Sequence, residues 1–304
     1  MNILNNLFYY LLIIPISLLP YPLLYGFSDF LYYIIYYVVG YRKKVAFKNI
    51  RNSFPEKTNA EHIVIAKKYY RHFCDLTLES LKVFTISEKD VRSRMVLKNP
   101  EIVNYYFDQG RSVIIAGGHY NNWELFAVAI AGMIKHQAIA IYKPFTSKYF
   151  DEKMRNTRGK YGLRMISTKI VKEVFESGRS KLTATIFGVD QSPPFADKCH
   201  WMTFLNQDTG VLFGVEKYAM EYNYPVVFCR INKERRGYYS FEFEDVNRLP
   251  NQTEHGEITE KVTRLLESDI IKKPEFWLWS HKRWKHKRPV LNANRQVGDW
   301  QSGN

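Results

Sequence analysis

The N-terminal part of the chain is almost free of charge. Asp29 is the one charged side chain in the first 41 residues, and the first basic side chain is Arg42. Between residues 7 and 39, Leu, Ile, Tyr and Phe dominate and prolines interrupt the run, which predicts two apolar helices joined by a kink. The second, about Tyr21 to Tyr41, approaches the roughly 20 residues that cross a hydrocarbon core. We therefore expect residues 1–41 to be a membrane anchor, with the basic residues that follow on the cytoplasmic side.

Two other interpretations of this segment stay open. A cleaved signal peptide fits less well, because the extreme N-terminus has no basic side chain and no small-x-small cleavage pattern stands out. A pair of helices buried in a soluble core would show the same apolar composition.

The net charge of +14 over 304 residues indicates an anionic partner. A membrane surface, a phosphorylated substrate, an acidic carrier protein and nucleic acid all meet that condition. The three cysteines, Cys74, Cys199 and Cys229, have neither paired spacing nor a metal-ligand pattern, so they predict no disulfide framework and favour a reducing compartment.

Hydrophobic patterning predicts an α/β fold, with a mixed sheet flanked by helices. Residues 42–99 have a helical pattern and are expected to form a membrane-proximal arm, and residues 100–304 the catalytic domain. Short apolar runs alternate with helical patterns through that domain. Tyr239–Glu244 alternates apolar and polar side chains and is predicted to be an edge strand. The other predicted strands are 111–116, 138–142, 182–189 and 225–231, and the predicted helices are 100–108, 148–160, 170–177, 212–222 and 258–271.

The segment Gly117-Gly-His-Tyr-Asn-Asn-Trp-Glu124 follows a predicted strand and opens a predicted helix. Five positions on one helix would separate His119 and Glu124 by about 140° and 7.5 Å, so His119 must precede the helix for the two to meet. From that loop, Glu124 could fix the tautomer of His119 and stabilise its imidazolium after it takes a hydroxyl proton. The alternative is a histidine that caps the helix beside an unrelated surface glutamate.

Nearby polar and aromatic residues complete the candidate site. Asn121 and Asn122 could face an oxyanion or could serve as turn and cap residues, and Trp123 could line an acyl groove. Asp190 ends a predicted buried strand, where it could orient the acceptor or an arginine, or cap a turn.

Together with several other sequence blocks, these residues resemble those of a known family. The H-x-x-x-x-E element resembles that of the late acyltransferases of lipid A biosynthesis, within the lysophospholipid acyltransferase superfamily. Further blocks resemble that family in the same order along nearly the whole chain. They are Tyr41-Arg-Lys-Lys, Lys48-Asn-Ile-Arg-Asn-Ser-Phe-Pro55, Tyr69-Tyr-Arg-His72 with Glu79, Tyr142-Lys-Pro144, Asp190-Gln191 and Trp279-Ser-His-Lys-Arg-Trp-Lys285 with Arg288-Pro289.

The resemblance implies a glycerolipid-acyltransferase-like fold with His119 and Glu124 as the catalytic pair. It also implies an acyl donor on acyl carrier protein, an anionic lipid A precursor as acceptor, and action at the cytoplasmic face of the cell inner membrane, without cofactor or metal. Gln191 belongs to one of the matching blocks. Lys143 stands where the family commonly has arginine, so Arg155 or Arg158 could supply a phosphate contact instead. The segment 192–206 departs from the family pattern, so the acceptor could differ.

Other functions stay open at this point. The same chemistry could act on an aminolipid or a lysophospholipid, although the F-P-E-G-T-R block of glycerophosphate acyltransferases is missing downstream of His119. The chain could also be a non-catalytic protein that binds membrane lipid. The basic cluster 281–288 could contact nucleic acid, but its place in the family pattern and the apolar N-terminus favour lipid or carrier protein, with no nucleic acid partner.

Overall fold

The computed structural model describes residues 2–177 and 181–289. The helices are α1 (Asn2–Phe8), α2 (Ile14–Leu18), α3 (Tyr21–Tyr33), α4 (Lys43–Ser53), α5 (Asn59–Lys82), α6 (Glu88–Arg94), α7 (Pro100–Asp108), α8 (Trp123–Ala129), α9 (Lys148–Gly159), α10 (Val171–Ser177), α11 (Gly214–Tyr222) and α12 (Glu257–Lys272). The strands are β1 (Met95–Leu97), β2 (Val113–Gly117), β3 (Gln137–Tyr142), β4 (Arg164–Ser167), β5 (Thr183–Gly188), β6 (His200–Phe204), β7 (Gln207–Val211), β8 (Val226–Arg235) and β9 (Tyr238–Asn247). Wider π-helical turns at Tyr9–Ile13 and Ile34–Val39 extend the first apolar helices, and short 3₁₀ turns form at Ile130–Gly132, Pro250–Gln252 and Pro274–Phe276.

Seven strands form one mostly parallel sheet in the order β1-β9-β8-β2-β5-β3-β4. β2 pairs in parallel with β5 on one side and with β8 on the other, while β8 and β9 form an antiparallel hairpin. Helices connect the parallel strands, as a parallel sheet requires. The expected α/β fold, with a mixed sheet flanked by helices, is confirmed.

The sheet separates two apolar cores. Alternate side chains of β2 point to opposite faces, so Ile114 and Ala116 join the core beneath α11 and α12, and Val113 and Ile115 join the core beneath α7 and α8. Burial on both faces explains why this strand appears in the sequence as a continuous apolar run.

Helices α4 to α6 pack against this sheet domain. Helix α5 begins at a capping box in which Thr58 and Glu61 exchange hydrogen bonds. Its Tyr69 and Tyr70 are buried in the same core as Ile114. The division of the chain at residues 41 and 99 stays a prediction.

The N-terminal segment has one helix that could cross a membrane by length and composition. It runs from Tyr21 to Val39, and 22% of it is buried against the rest of the protein. It is therefore a candidate membrane anchor, as expected.

Some sequence predictions about strands were wrong. Strand β9 is not an edge strand, because β1 pairs alongside it. Its alternation arises because Phe241 and Phe243 are buried while Glu242 and Glu244 on the other face are half-buried. The short strands β1 and β4, and the hairpin of β6 and β7, were not predicted.

Candidate active site

The site lies where β2 and β5 end side by side. Gly117 and Gly188 are the last residues of the two strands and are in register. The carboxyl ends of parallel strands are the usual place for ligand sites in α/β sheets. The loop after β2 carries His119, which precedes α8 as expected, and the loop after β5 carries Asp190.

His119 is held by a buried carboxylate. Its Nδ1 lies 2.7 Å from Oδ1 of Asp190, and its backbone N–H donates to Oδ2 of Asp190 over 2.8 Å. The indole N–H of Trp277 donates to the same Oδ2, also over 2.8 Å. With Nδ1–H directed at Asp190, the lone pair of His119 is on Nε2, where the side-chain amide of Gln191 lies 3.3 Å away.

The charges of the pair stabilise each other. Burial lowers the pKa of His119, but the neighbouring Asp190, and then Glu124, outweigh burial and leave that pKa above its ordinary value. Burial raises the pKa of Asp190, but the charge of His119 and the hydrogen bonds from His119 and Trp277 lower it to about 2. The carboxylate therefore stays ionised and can stabilise an imidazolium at His119.

Glu124 has a partner that sequence reasoning did not assign to it. Its two oxygens accept hydrogen bonds of 2.9 Å and 2.6 Å from Nε and Nη2 of Arg158, and the indole N–H of Trp123 donates to it over 3.2 Å. The expectation that Glu124 holds the ring of His119 is therefore corrected. Asp190 occupies the Nδ1 side of that ring, while α8 directs Glu124 toward α9.

Asn121 and Asn122 have structural contacts. Asn121 adopts a left-handed conformation with φ of 55°, and its amide donates to the carbonyl of Ile231. Asn122 caps α8 by accepting from the N–H of Leu125, and its amide donates to Glu79. Both are 1% exposed, so these side chains are not positioned to contact a substrate. Of the two roles considered from the sequence, Asn121 and Asn122 therefore have the structural one, as turn and cap residues.

A cavity of about 550 Å³ opens beside His119. Trp123, Lys143, Arg158 and Gln191 line it together with His119, whereas Arg155 lies on the exposed side of α9. Most of the remaining lining is apolar and comes from strands and helices on both faces of the sheet. It includes Phe126, Ala127, Ala140, Met165, Ile186, Phe187, Val215, Tyr218, Cys229 and Ile231.

Two glycines leave the room that this arrangement needs. A Cβ at Gly188 would lie 3.2 Å from Cε1 of His119. A Cβ at Gly118 would lie 2.7 Å from Leu266 and 3.3 Å from the carboxylate of Asp190. Side chains at these positions would displace the pair.

Sequence reasoning missed two residues that support the site. Trp277 fixes the carboxylate of Asp190, and nothing in the sequence near it indicated a contact 87 positions away. Glu79, which belonged to a family-like block, is buried and receives hydrogen bonds from Asn122, Tyr25 and Tyr239. Glu79 therefore joins the loop after β2 to α3 and α5.

The basic cluster near the C-terminus is not wholly a charged surface. Arg283 is 2% exposed, and burial lowers its pKa to about 10. Trp284 packs against Trp277 and Phe204. The exposed cations of this cluster are Lys282, Lys285, Lys287 and Arg288. Part of this cluster is therefore buried, and Trp284 packs against Trp277, which holds Asp190.

The amino-acid sequence was compared with known protein families and with curated proteins. The family described as bacterial lipid A biosynthesis acyltransferase matches residues 3–286, which include the N-terminal helices, His119, Trp277 and Trp284. A search of curated proteins returned no match. The resemblance suggested by the ordered sequence blocks is confirmed, and the chain belongs to the bacterial lipid A biosynthesis acyltransferase family.

Proposed function

We propose that this acyltransferase moves a fatty acyl chain from a thioester on acyl carrier protein to a hydroxyl group of a lipid A precursor. The observation that supports this most directly is the placement of His119. Its Nδ1 is bonded to a buried carboxylate, and the ring lines an apolar cavity. Such a cavity suits a hydrocarbon chain, and such a histidine suits a general base.

The reaction needs one proton transfer in each direction. The acceptor hydroxyl gives its proton to Nε2 of His119 as its oxygen attacks the thioester carbonyl carbon. The tetrahedral intermediate then collapses, the carbon–sulfur bond breaks, and the imidazolium returns the proton to the leaving thiolate. Asp190 acts through His119 as a positioning residue, because it holds the tautomer and stabilises the cation.

Arg158 is the arginine that we assign to the substrate. Its guanidinium lines the cavity near His119, and Glu124 holds it in place through two hydrogen bonds. A fixed cation there would stabilise the developing oxyanion or an acceptor phosphate. Glu124 therefore contributes by fixing Arg158 and, through its charge, by favouring the imidazolium of His119.

Substitution of His119 tests the chemistry. His119→Ala should lower the rate of acyl transfer from labelled acyl carrier protein to lipid by about 10² to 10⁴. His255→Ala, at an exposed histidine that does not line the cavity, is the matched control. Transfer by His119→Ala at the unaltered rate would contradict the mechanism and favour a non-catalytic lipid-binding protein.

Mass spectrometry of membrane lipids tests the acceptor. Loss of the active protein should leave a lipid A species lighter by one acyl chain. Unchanged lipid A together with a missing diacyl aminolipid, or a missing phospholipid product, would identify a different acceptor. Acyl-coenzyme A in place of the acyl carrier protein tests the donor in the same transfer assay.

The proposed place of action is the cytoplasmic face of the cell inner membrane. Family membership and the apolar N-terminal helix support attachment to a membrane. The net charge of +14 suits both anionic lipid and an acidic carrier protein.

A further inference from the structure

We propose that residues 4–41 lie in the plane of a single membrane leaflet, docked along the catalytic domain, and do not cross the bilayer. This orientation rests on the membrane attachment in the proposed function, and not on the acyl-transfer chemistry. The side of this segment that faces away from the rest of the protein contacts one leaflet, which contains anionic lipid.

One face of the α3 segment is attached to polar partners along its length. The ring of Tyr21 lies 3.3 Å beneath the guanidinium of Arg94, and the hydroxyl of Tyr25 donates to Glu79 over 2.8 Å. Ser28, one turn further, donates to Asp75 over 2.8 Å.

The same face continues to the end of the segment. Tyr32 lies beneath Arg71, and Tyr36 lies beneath the ammonium group of Lys43. The contacting positions 21, 25, 28, 32 and 36 recur every three or four residues, as one face of a helix does. We name this face the polar seam.

A charged network lies near the middle of the polar seam. Arg236 donates to both Asp29 and Asp75, with closest distances of 2.8 Å and 2.6 Å. Lys233 lies 3.5 Å from Asp75. Asp75 is 3% exposed and Glu79 is 5% exposed, so both carboxylates of α5 lie in the interior of the folded protein.

A membrane-crossing orientation would be costly for this network. Asp29 stands near the centre of Tyr21–Val39, so a crossing helix would carry its partners into the middle of the hydrocarbon. Each charged side chain there costs about 2.5 to 3.5 kcal/mol on insertion scales. The whole of α5 would have to follow, because it contacts α3 along the polar seam.

The opposite face of the segment is apolar and open. Leu23, Phe30, Tyr37 and Val38 are between 56% and 76% exposed. The first helices continue this surface, since their outward residues are also exposed while Tyr9 packs on Phe84 and Tyr149. Their exposed apolar residues are Leu4, Leu7, Phe8, Tyr10, Leu11, Leu12 and Leu18. An exposed apolar surface of this extent marks a membrane or protein contact.

Charge next to this surface favours anionic lipid as the occupant. Three residues separate the π-helical turn that ends at Val39 from helix α4. The side chains of Lys44, Lys48 and Arg51 on α4 are exposed. Apolar insertion bordered by basic residues is the pattern of helices that lie at an anionic membrane interface.

Depth measurements test the orientation on the full chain. Leu23→Cys, Phe30→Cys and Val38→Cys, each combined with Cys199→Ser, carry an environment-sensitive fluorophore, while the native Cys74 and Cys229 are buried. The proteins are reconstituted into phosphatidylglycerol–phosphatidylethanolamine vesicles whose acyl chains carry bromine at defined depths. Vesicles of the same lipids without bromine give the reference intensity.

An in-plane segment predicts the same shallow quenching profile at all three positions. A crossing helix predicts that deep bromines quench position 30 most and shallow bromines quench positions 23 and 38, which are about 22 Å apart along a helix. That result would overturn the orientation, as would an absence of quenching at every position. The measurement needs no acyl transfer, so equal profiles from a protein inactive toward lipid A would reject the proposed function and keep the orientation.

Discussion

At the scale of single residues, His119, the proposed general base, is held by a carboxylate 71 positions away and not by the one five positions away. The family-like H-x-x-x-x-E spacing drew attention to Glu124, but the ring of His119 turns toward the neighbouring strand end. Asp190 is 3% exposed on its side chain and receives three donors, counting Nδ1–H, so it provides a fixed anion at the Nδ1 edge of the ring.

We expect Asp190→Asn to lower kcat by about 10² to 10⁴, because an amide at that position favours the wrong tautomer of His119. Asp190 also holds the pKa of His119 above its ordinary value, against burial. A base works when it is unprotonated, so a lower pKa extends activity to lower pH. The acid limb of kcat/KM should therefore move to lower pH in the variant.

The pH dependence of kcat/KM with acyl carrier protein as donor checks this prediction. Asp208→Asn, at an aspartate with a half-exposed side chain on β7, is the control and should keep the acid limb of the unaltered protein. An acid limb at an unchanged pH in Asp190→Asn would show that Asp190 does not act through His119.

The pair of Glu124 and Arg158 predicts a coupled change in stability. Their side chains are 13% and 16% exposed, so removal of one partner leaves a poorly solvated charge. We expect Arg158→Met to lower the free energy of unfolding by about 2 to 3 kcal/mol, somewhat less than for a fully buried pair. Arg158→Met with Glu124→Gln should cost less than the sum of the single changes, by about 1 to 3 kcal/mol.

Chemical unfolding in detergent measures these differences. Arg155→Met, on the exposed side of the same helix, should change stability by less than about 0.5 kcal/mol. Additive single changes would mean that the ion pair contributes nothing beyond its separate side chains.

At the scale of helices and strands, prediction succeeded where a segment had a strong local signal. Helices α7, α9 and α12 begin within one residue of their predicted starts, and the core strands β2, β3, β5 and β8 lie on the predicted apolar runs. The misses have physical reasons. Strands β1 and β4 have three and four residues, too few for a recognisable period, and β6 and β7 follow a segment without a familiar pattern.

In the site, too, the features with a local sequence signal were predicted and those that depend on distant contacts were not. His119 in a loop before α8 followed from helical geometry and a strand-to-helix transition. The contacts of Asp190, Trp277 and Arg158 depend on which strands become neighbours, and a single sequence does not encode that order locally. Asn121 and Asn122 show the opposite case, because their local turn and cap preferences describe what they do.

The size of the side chains that line the cavity should limit the length of the acyl chain that the donor can carry. Ala140 on β3 lines the apolar part, and a larger side chain would occupy space that an acyl chain fills. We expect Ala140→Phe to shift preference toward shorter acyl donors, because each methylene left unburied costs about 0.8 kcal/mol, or roughly fourfold in kcat/KM. Competition between acyl carrier proteins of different chain length measures the shift.

Ala60→Phe is the control, since Ala60 is exposed at the start of α5. It should keep the chain-length preference of the unaltered protein. A uniform loss of activity for all donors in Ala140→Phe would indicate that the acyl chain lies elsewhere.

At the scale of the whole molecule, one surface is apolar, and the chain as a whole carries a net charge of +14. These two features respond differently to salt. Salt screens the attraction between basic side chains and anionic lipid over about 10 Å at 0.1 M, whereas it leaves the insertion of apolar side chains in place. Binding that persists at high salt therefore measures the apolar surface alone.

We expect Leu23→Ser to weaken vesicle partitioning about 10- to 100-fold at high salt, as loss of one buried leucine side chain of about 1.5 to 3 kcal/mol requires. Co-sedimentation with anionic vesicles measures it. Leu249→Ser is the matched control, because Leu249 is also exposed but lies outside the N-terminal surface. If both variants lose binding equally, or if high salt alone releases the unaltered protein, the apolar surface is not what holds the protein on the vesicle. If Leu23→Ser alone loses binding, the open face of α3 is part of the surface that inserts into lipid.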